Sequence, residues 1–252
     1  MNARQAEIVN LIQKEQRVGV RELAERFGVS EMTVRRDLSE MEKQGLLIRT
    51  HGGGVAAGRL RFLQSAFPQL AASPEKAAIG KLAAGLVKPG QTVMVDSGTT
   101  ALEVALHLPQ DIGITVATTS LCVAQALYGT DLNVLILGGF LRKDFPSLYG
   151  PVTHNVLDNL RADMLFIGCD AAVSEEGFYT ADMHISSLEQ AMIGIADRVV
   201  VVTESRKFGQ RAFVRYAQPE EVDVLVTNSG LTPGDRSNLE QKGVRVLIAE
   251  KE

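Results

Sequence analysis

Hydrophobic positions in the first fifty residues recur at helical spacing and predict three helices. Apolar side chains lie three and four positions apart in segments 6–15 and 20–28. Gly28 supplies a C-terminal stop for the second helix, and Ser30 is placed to cap a third that runs to Gly45. Two short helices joined by a tight glycine turn match a helix-turn-helix.

The third predicted helix has one apolar face and one polar, basic face. Val34, Leu38 and Met41 share the apolar face. For isolated charges, a solvated surface is the ordinary interpretation, but the helix spacing, the cap and the segment that follows all favour a recognition helix. The predicted DNA contacts on and before this helix are Ser30, Met32, Thr33, Arg35, Arg36 and Lys43.

The segment LLIRTHGGG (46–54) alternates briefly and ends in three glycines, as does the hairpin wing that follows some helix-turn-helix units. Arg49 and His51 would lie on this wing, near the phosphate backbone, and complete the predicted DNA contacts. The charge distribution agrees. Residues 1–61 hold 11 Lys and Arg against 8 Asp and Glu, whereas the rest of the chain holds 15 against 22. A basic head on an acidic body is expected if only the head meets a polyanion.

From Pro74 onward, helical patterns alternate with short apolar runs rich in β-branched residues, which predicts an α/β fold. Nearly continuous apolar runs are typical of strands buried on both faces of a mostly parallel sheet, with helices on both sides. We therefore expect a DNA-binding domain at 1–57, a linker at 58–73 and an effector domain at 74–252. The predicted strands are 92–97, 114–119, 133–139, 163–169, 198–204, 222–228 and 244–249.

The loop DSGTT (96–100) stands between a predicted strand and a predicted helix and carries the main candidate chemistry. Its glycine permits close approach of the backbone, its hydroxyls donate hydrogen bonds, and the helix directs free N–H groups at the same place. These features predict an anion site, most naturally for a phosphate. A capping turn without a ligand would use the same residues. Neither a Walker loop nor G-x-G-x-x-G is present.

Hydroxyl-bearing, glycine and charged residues also follow other predicted strands. Ligands of open α/β sheets bind at the carboxyl ends of strands, so agreement among these loops favours a small anionic ligand. The predicted effector-binding residues are Asp96, Ser97, Gly98, Thr99, Thr100, Thr118, Thr119, Ser120, Gly138, Gly139, Arg142, Asp170 and Lys207. Tyr179 and Asp182 are further candidates, although a strand-to-helix turn with an aspartate cap would have the same sequence.

The stretch VSEMTVRRDLSEMEKQGLLIRTHGGG (29–54) resembles the DNA-binding signature of the DeoR family of bacterial transcriptional regulators. The strand-end motifs resemble the effector domain of the same family, so the resemblance spans essentially the whole chain. It implies a winged helix-turn-helix followed by a larger α/β sensor domain similar in fold to ribose-5-phosphate isomerase. Family members usually sense phosphorylated sugars or related metabolites.

By this resemblance, Thr33, Arg35 and Arg36 read or clamp DNA, and Asp37 orients neighbouring basic side chains. In the sensor domain, Asp170 would meet sugar hydroxyls and Lys207 would meet a hydroxyl or a phosphate. Two departures from the family pattern concern the shape of the pocket. Glu204 stands where aspartate is common, and FPQLAAS (67–73) lacks the arginine often found before the Glu–Lys pair at 75–76.

The function expected is a repressor of a carbohydrate-utilisation operon whose affinity for double-stranded operator DNA responds to a phosphorylated sugar. A homodimer or homotetramer suits a palindromic operator. The alternative is an isomerase-like enzyme with an accessory DNA-binding head, in which Asp170 and Lys207 transfer protons. A second carboxylate base is not identifiable, so we expect no catalytic residues. Binding of nucleoid type, without an effector, is disfavoured by the acidic body.

The sequence does not indicate a disulfide framework, a metal site or a membrane segment. Cys122 and Cys169 are too few for a disulfide scaffold, and no Cys/His group has zinc-ligand spacing. Cys169 is expected to pack, because a nucleophile would need a nearby histidine base. Neither a signal peptide nor a membrane-spanning run is recognisable. We therefore expect a cytoplasmic protein with no cofactor, metal site or membrane partner.

Overall fold

The computed structural model describes residues 3–15, 17–43, 46–50, 52–56 and 73–250. The chain divides into two units, Met1–Leu70 and Ala71–Glu252, called here the N-terminal and C-terminal units. Apart from Ser73, the predicted linker at 58–73 lies outside the described residues.

Three helices and three short strands are found in the part of the N-terminal unit that the structure describes. Because Gly28 adopts φ 62°, the chain turns sharply after α2, and the Gly28 N–H is directed back at the end of that helix. Ser30 then caps α3, its Oγ accepting a hydrogen bond from the Thr33 N–H at 3.3 Å. The elements are α1 Ala3–Glu15, β1 Arg17–Gly19, α2 Val20–Phe27, α3 Glu31–Lys43, β2 Leu47–Thr50 and β3 Gly53–Ala56.

The predicted wing is present as an antiparallel β2–β3 pair. β1 pairs with the other edge of β3, so the strand order is β1-β3-β2. A Cβ at Gly53 would collide with the carbonyl oxygen of Val18, so only glycine allows β3 to approach β1 this closely. The helical stripes converge on one core, as their spacing predicted. Its fully buried side chains include Ile8, Ile12, Leu23, Val34, Leu38, Met41 and Leu47.

A seven-stranded parallel sheet forms the centre of the C-terminal unit, and it contains all seven predicted strands. Most of the observed strands are shorter at their carboxyl ends than predicted, because those residues turn into the loops that follow. The strands are β4 Thr92–Val95, β5 Thr115–Thr118, β6 Asn133–Ile136, β9 Met164–Ile167, β12 Val199–Val202, β14 Val224–Asn228 and β15 Arg245–Ala249.

The strand order β15-β14-β12-β9-β4-β5-β6 reverses direction between β4 and β9. From β4 the chain proceeds outward through β5 and β6, then returns to β9 and proceeds outward on the other side. The loops that follow β4 and β9 therefore leave their strands toward opposite sides and open a crevice between them. Such a switch point is where open α/β sheets bind ligands.

Six helices accompany the parallel sheet. In the core of this unit, Leu188 and Met192 from one of these helices pack with Leu165 and Ile167 of β9 and with Val201 of β12. The helices are α4 Pro74–Ala84, α5 Thr99–Leu106, α6 Leu121–Leu127, α7 Pro151–Leu157, α8 Met183–Gly194 and α9 Pro233–Gln241, with 3-10 turns at Ser205–Lys207 and Pro219–Glu221.

Two smaller antiparallel sheets were not predicted. One has three strands in the order β10-β11-β13, and the other is the pair β7-β8. Each of their strands has only two to four residues, which is too short to show an alternating pattern in the sequence. The strands are β7 Phe140–Leu141, β8 Leu148–Tyr149, β10 Ala171–Val173, β11 Gly177–Thr180 and β13 Val214–Ala217.

The prediction that every strand is buried on both faces was wrong for β6. Leu135 and Ile136 are 41% and 48% exposed, although their strand is as apolar as its neighbours. β6 is the outermost strand of the sheet, so it has a neighbouring strand on one side only. A run of apolar residues cannot by itself reveal whether its strand is central or at an edge.

Candidate functional site

The start of α3 presents the predicted DNA-contacting side chains. Met32 is 74% exposed, and Arg35 and Arg36 are exposed beside it. Arg35 forms an ion pair with Glu31 at 3.3 Å, whereas Arg36 has no ion pair with any side chain that the structure describes. The hydroxyls of Ser30 and Thr33 lie 2.9 Å apart within the helix cap. Among the described side chains of this surface, Arg36 is therefore an uncommitted cation.

Asp37 is buried on the inner side of the same helix. Its carboxylate accepts hydrogen bonds from Arg4 Nε at 2.7 Å and from Gln5 Nε2 at 3.2 Å. These bonds tie α3 to α1 and hold Arg4 in place, which agrees with the expectation that Asp37 orients a basic side chain. The sequence did not single out Arg4, because it lies thirty-three positions away.

Lys43 is the last residue of α3 and Arg49 lies in β2. His51 lies outside the described residues. Their part in DNA binding stays a prediction.

At the switch point of the C-terminal unit, Asp96 joins the loop after β4 to the loop after β9. Its carboxylate is buried and lies close enough to the backbone N–H groups of Ser97, Gly98 and Gly168 for them to lower its pKa. Burial raises the pKa of Asp96, while these three N–H groups oppose the rise. A Cβ at Gly98 would meet the Gly168 Cα at 3.7 Å, an ordinary contact. The two loops therefore lie side by side, and Asp96 holds them together.

Besides the N–H groups that act on Asp96, this loop offers the donors of the first turn of α5. That turn begins at Thr99, and its first N–H groups have no intrahelical acceptor. The Ser97 Oγ lies 3.4 Å from Asp96 Oδ1, Thr100 is buried, and Thr99 is half-buried. Thr99 and the helix N-terminus thus form the accessible part of the predicted phosphate loop.

In the second predicted loop, two of the three hydroxyls are used internally. Thr118 Oγ1 donates to the Val95 carbonyl oxygen at 2.7 Å and accepts from the Ser120 N–H at 3.0 Å. Ser120 Oγ caps α6 by accepting from the Val123 N–H at 3.2 Å. Thr119 Oγ1 is buried without a hydrogen-bond partner within the described part of the chain. Thr119 is therefore the hydroxyl of this loop that remains uncommitted.

The glycines after β6 serve packing. A Cβ at Gly139 would collide with Thr153 Oγ1 and with the Tyr149 carbonyl oxygen, and Thr153 also donates to the Gly138 carbonyl oxygen at 2.7 Å. Arg142 donates two hydrogen bonds to Asp144, at 3.2 and 2.7 Å. These contacts lie farther along the sheet from Asp96.

A cavity of about 530 Å³ opens beside Arg142. Asp182 lies at its wall and also caps α8, its Oδ1 accepting from the His184 N–H at 2.7 Å. Tyr179 donates instead to Glu176, away from this cavity's lining, at 2.6 Å. Of the two further candidates, Asp182 therefore lines a cavity and acts as a helix cap at the same time.

Asp170 and Lys207 stand near the end of β9. Asp170 is exposed and accepts from the Ala181 N–H at 2.8 Å. The half-buried Lys207 has no hydrogen-bond or ion-pair partner among the side chains that the structure describes, and its charge acts on the neighbouring Cys169 thiol. Burial nevertheless raises the pKa of Cys169 to about 12, and its Sγ donates to Thr203 at 3.3 Å. Cys169 is thus a packed thiol, and Lys207 an uncommitted cation.

The sequence did not single out Glu189, which lies on α8 and is 4% exposed. Its Oε2 is buried and has no hydrogen-bond partner within the described residues. Burial is the main cause that raises the pKa of Glu189 to about 10, followed by the negative charges of Asp96 and Asp170. Glu189 lies four positions after Ile185 and three positions before Met192, a spacing that places it on the apolar face of α8. This spacing was the sequence signal from which its burial could have been predicted.

The two units match two family models. Residues 4–58 match a DeoR-like helix-turn-helix domain, and residues 71–229 match the DeoR C-terminal sensor domain. Together with the winged helix-turn-helix and the parallel α/β sheet, these matches define a DNA-binding regulator with a sensor domain. The chain belongs to the DeoR family of transcriptional regulators.

Relatives of similar length align over nearly the whole chain. The HTH-type transcriptional regulator GlpR of Haloferax volcanii is 34% identical over 97% of this chain and 96% of its own. The HTH-type transcriptional repressor GlcR of Bacillus subtilis is 31% identical over 97% and 95%. The transcriptional repressor AccR of Agrobacterium fabrum is 34% identical over 90% and 89%. These relatives are regulators rather than enzymes.

Similarity to solved structures is weaker. Ribose 5-phosphate isomerase A from Neisseria gonorrhoeae aligns with 54% of this chain and 53% of its own, at 14% identity and a TM-score of 0.41. The translation initiation factor eIF-2B of Pyrococcus horikoshii aligns with 84% and 82%, at 16% identity and a TM-score of 0.41.

Two further observations concern metal and membrane binding. Within the described ranges, His, Cys, Asp and Glu side chains do not form a group of three or more that could hold a metal ion. None of the described helices has the length and apolar character needed to cross a membrane.

Proposed function

We propose that this protein represses a carbohydrate-utilisation operon, and that a phosphorylated sugar bound in the C-terminal unit lowers its affinity for operator DNA. The observation that carries the proposal is the reversal of strand order between β4 and β9, because the predicted effector residues before α5 and at Asp170 lie at that point. Two of the relatives described above are named repressors.

The proposed phosphate contacts are Lys207, Thr99 and the N-terminus of α5. A helix N-terminus and an uncommitted ammonium group both favour an anion. Thr119 and Asp170 provide a hydroxyl and a carboxylate for the remainder of the ligand. Three of the other predicted effector residues support these loops: Asp96 and Thr118 bridge neighbouring loops and strands, while Ser120 caps α6.

On the DNA side, the exposed start of α3 would enter the major groove, with the wing against the backbone. A homodimer or homotetramer would place two such helices on a palindromic operator. Ligand control requires the effector to bind the two states of the protein with different affinity, typically by about 1–3 kcal/mol. The isomerase-like alternative would use Asp170 and Lys207 as well, but membership of a regulator family favours the sensor.

The test is a thermal-shift screen of the full-length protein against sugar phosphates, each paired with its unphosphorylated sugar. A ligand present at one hundred times its dissociation constant adds about 2.7 kcal/mol of stability, which is readily measured. The expected result is a shift from a phosphorylated compound but not from the free sugar. The same compound should release operator DNA in a mobility-shift assay. Turnover of the compound that disappears in Asp170→Ala would instead establish the enzyme.

A pair of variants locates the site. Thr99→Asp adds a negative charge at the N-terminus of α5 and should abolish the thermal shift while operator binding persists. Thr232→Asp adds the same charge at the N-terminus of α9, where aspartate is an equally good cap, and should leave the shift unchanged. An unaltered shift in Thr99→Asp would place the ligand elsewhere.

A further inference from the structure

Glu189 lies between the switch point and the cavity beside Arg142. Its electrostatic neighbours include Asp96, which begins the loop after β4, and Asp170, which ends the loop after β9. They also include Arg142 and Asp182, which line the cavity of about 530 Å³. Ile185, one helical turn before Glu189 on α8, is part of the same lining. Glu189 therefore lies one helical turn beyond a residue of the cavity wall and within electrostatic reach of the carboxylates at the switch point.

One oxygen of the Glu189 carboxyl lacks a hydrogen-bond partner among the described residues, at a place where one is normally required. Buried carboxyl oxygens are hydrogen-bonded in almost all native proteins, because desolvation without a partner is costly. Glu189 Oε2 has no such bond to the residues described here. Asp96 accepts a hydrogen bond from the Ser97 hydroxyl, and Asp170 accepts one from the Ala181 N–H. Among these three carboxyl groups, Glu189 has the unmet hydrogen-bonding capacity.

The surroundings define what could satisfy Glu189. Burial and two negative neighbours keep its carboxyl protonated at neutral pH, so that it can both donate and accept a hydrogen bond. A ligand hydroxyl has the same dual capacity. The charged neighbours of Glu189 include a third carboxylate, Asp182, and one cation, Arg142, which is already paired with Asp144. A second phosphate or a carboxylate placed here would therefore be repelled on balance. Because the proposed phosphate contacts are Lys207 and the N-terminus of α5, the uncharged end of the ligand is left for Glu189.

We propose that Glu189 is a specificity-determining residue of the effector site, where it hydrogen-bonds a hydroxyl of the ligand's uncharged end and selects sugar monophosphates over bisphosphates and phosphorylated sugar acids. This inference rests on the proposed function, because it assigns an orientation to the phosphorylated ligand. The site would then reject bisphosphates and phosphorylated sugar acids as well as accept sugar monophosphates.

The test is calorimetric titration of the full-length protein with four probes: glucose 6-phosphate, fructose 6-phosphate, fructose 1,6-bisphosphate and 6-phosphogluconate. The expected result for the wild-type protein is binding of at least one monophosphate, with the bisphosphate and the sugar acid at least about tenfold weaker. Glu189→Gln preserves the size and the dual hydrogen-bonding capacity of the protonated acid and should keep the affinity within about threefold. Glu189→Leu should weaken it by about tenfold or more.

Gln190→Leu is the matched control, because Gln190 is the exposed neighbour of Glu189 on the same helix. It should leave both affinity and selectivity unchanged. A structural role alone would alter stability without altering the ratio of the monophosphate and bisphosphate affinities. If Glu189→Leu does not fold, the wild-type selectivity and the Glu189→Gln affinity still decide the question.

Three results would overturn the inference and leave the proposed function intact. They are preferred binding of the bisphosphate or sugar acid, wild-type affinity in Glu189→Leu, and loss of binding in Glu189→Gln. A thermal-shift screen in which no phosphorylated compound acts would overturn the proposed function, and this inference with it. The two failures are therefore distinguishable.

Discussion

The buried carboxyl of Glu189 should make the stability of the C-terminal unit depend on pH. Its pKa is raised from the ordinary 4.5 to about 10, mainly by burial and then by Asp96 and Asp170. Between these values the folded protein keeps a proton that the unfolded chain has lost. The free energy of unfolding should therefore fall as pH rises from about 4.5 to about 10, and should be unaffected by this group below 4.5.

The size of the effect follows from one bound proton. Each pH unit inside the window lowers the free energy of unfolding by roughly 1 kcal/mol, so the change from pH 6 to pH 8 is roughly 2–3 kcal/mol. Glu189→Gln removes the titrating proton, and with it the contribution of this residue to the dependence of the free energy of unfolding on pH. Asp96, Asp170, Asp182 and Arg142, the charged neighbours of Glu189, are present in both proteins, so their contributions largely cancel in the difference.

The assay is urea unfolding of the full-length protein and Glu189→Gln at pH 6, 7 and 8, followed by circular dichroism. The stability of the variant relative to wild type should rise steadily with pH. Glu240→Gln, which changes an exposed carboxylate, should give a curve parallel to wild type. Parallel curves for Glu189→Gln would show that Glu189 is ionised in the folded protein and would refute the reasoning.

Two further predictions concern the recognition helix and the packing of the C-terminal unit. Arg36→Ala should weaken operator binding by about 1–3 kcal/mol in fluorescence anisotropy at fixed salt, with effector binding unchanged. The control is Arg236→Ala, which removes an exposed arginine of the other unit. Equal operator affinities of Arg36→Ala and wild type would refute the recognition-helix assignment. Gly80→Ala should lower the free energy of unfolding by about 1–3 kcal/mol, because its Cβ would lie 2.5 Å from the Glu103 carbonyl carbon on α5. Gly194→Ala, where a Cβ meets nothing within 4 Å, should be neutral or slightly stabilising, and an equal loss there would contradict the packing explanation.

Features that depend on neighbouring positions in the chain were predicted correctly. The helical spacing in the N-terminal unit, the cap at Ser30 and the stop at Gly28 were all read from short segments. The seven parallel strands were predicted for the same reason, because burial of a central strand requires a local run of apolar residues. The strands β10, β11 and β13 were missed, since their patterns are too short to be periodic and β13 pairs with a strand more than thirty positions away.

The candidate site was only partly accessible to sequence reasoning. Hydroxyl-bearing residues before a helix predict a cap and a phosphate loop equally well. In the folded protein, the hydroxyls of residues 118–120 have different roles. Thr118 donates to the Val95 carbonyl oxygen, Ser120 caps α6, and Thr119 has no partner among the described residues. Each outcome depends on which backbone atoms another strand or helix brings within 3.5 Å, and that is a property of the tertiary structure.

The sequence by itself determined the class of this protein: a basic helix-turn-helix with a wing, followed by an α/β body with polar loops at its strand ends. These features are encoded by periodicity, caps and turns, which act over a few residues. Only the tertiary structure decided the order of the strands, and hence that Asp96 and Asp170 meet at one crevice. It also placed Glu189 beside them on the buried face of α8, because burial and charge are set by side chains that are far apart in the chain.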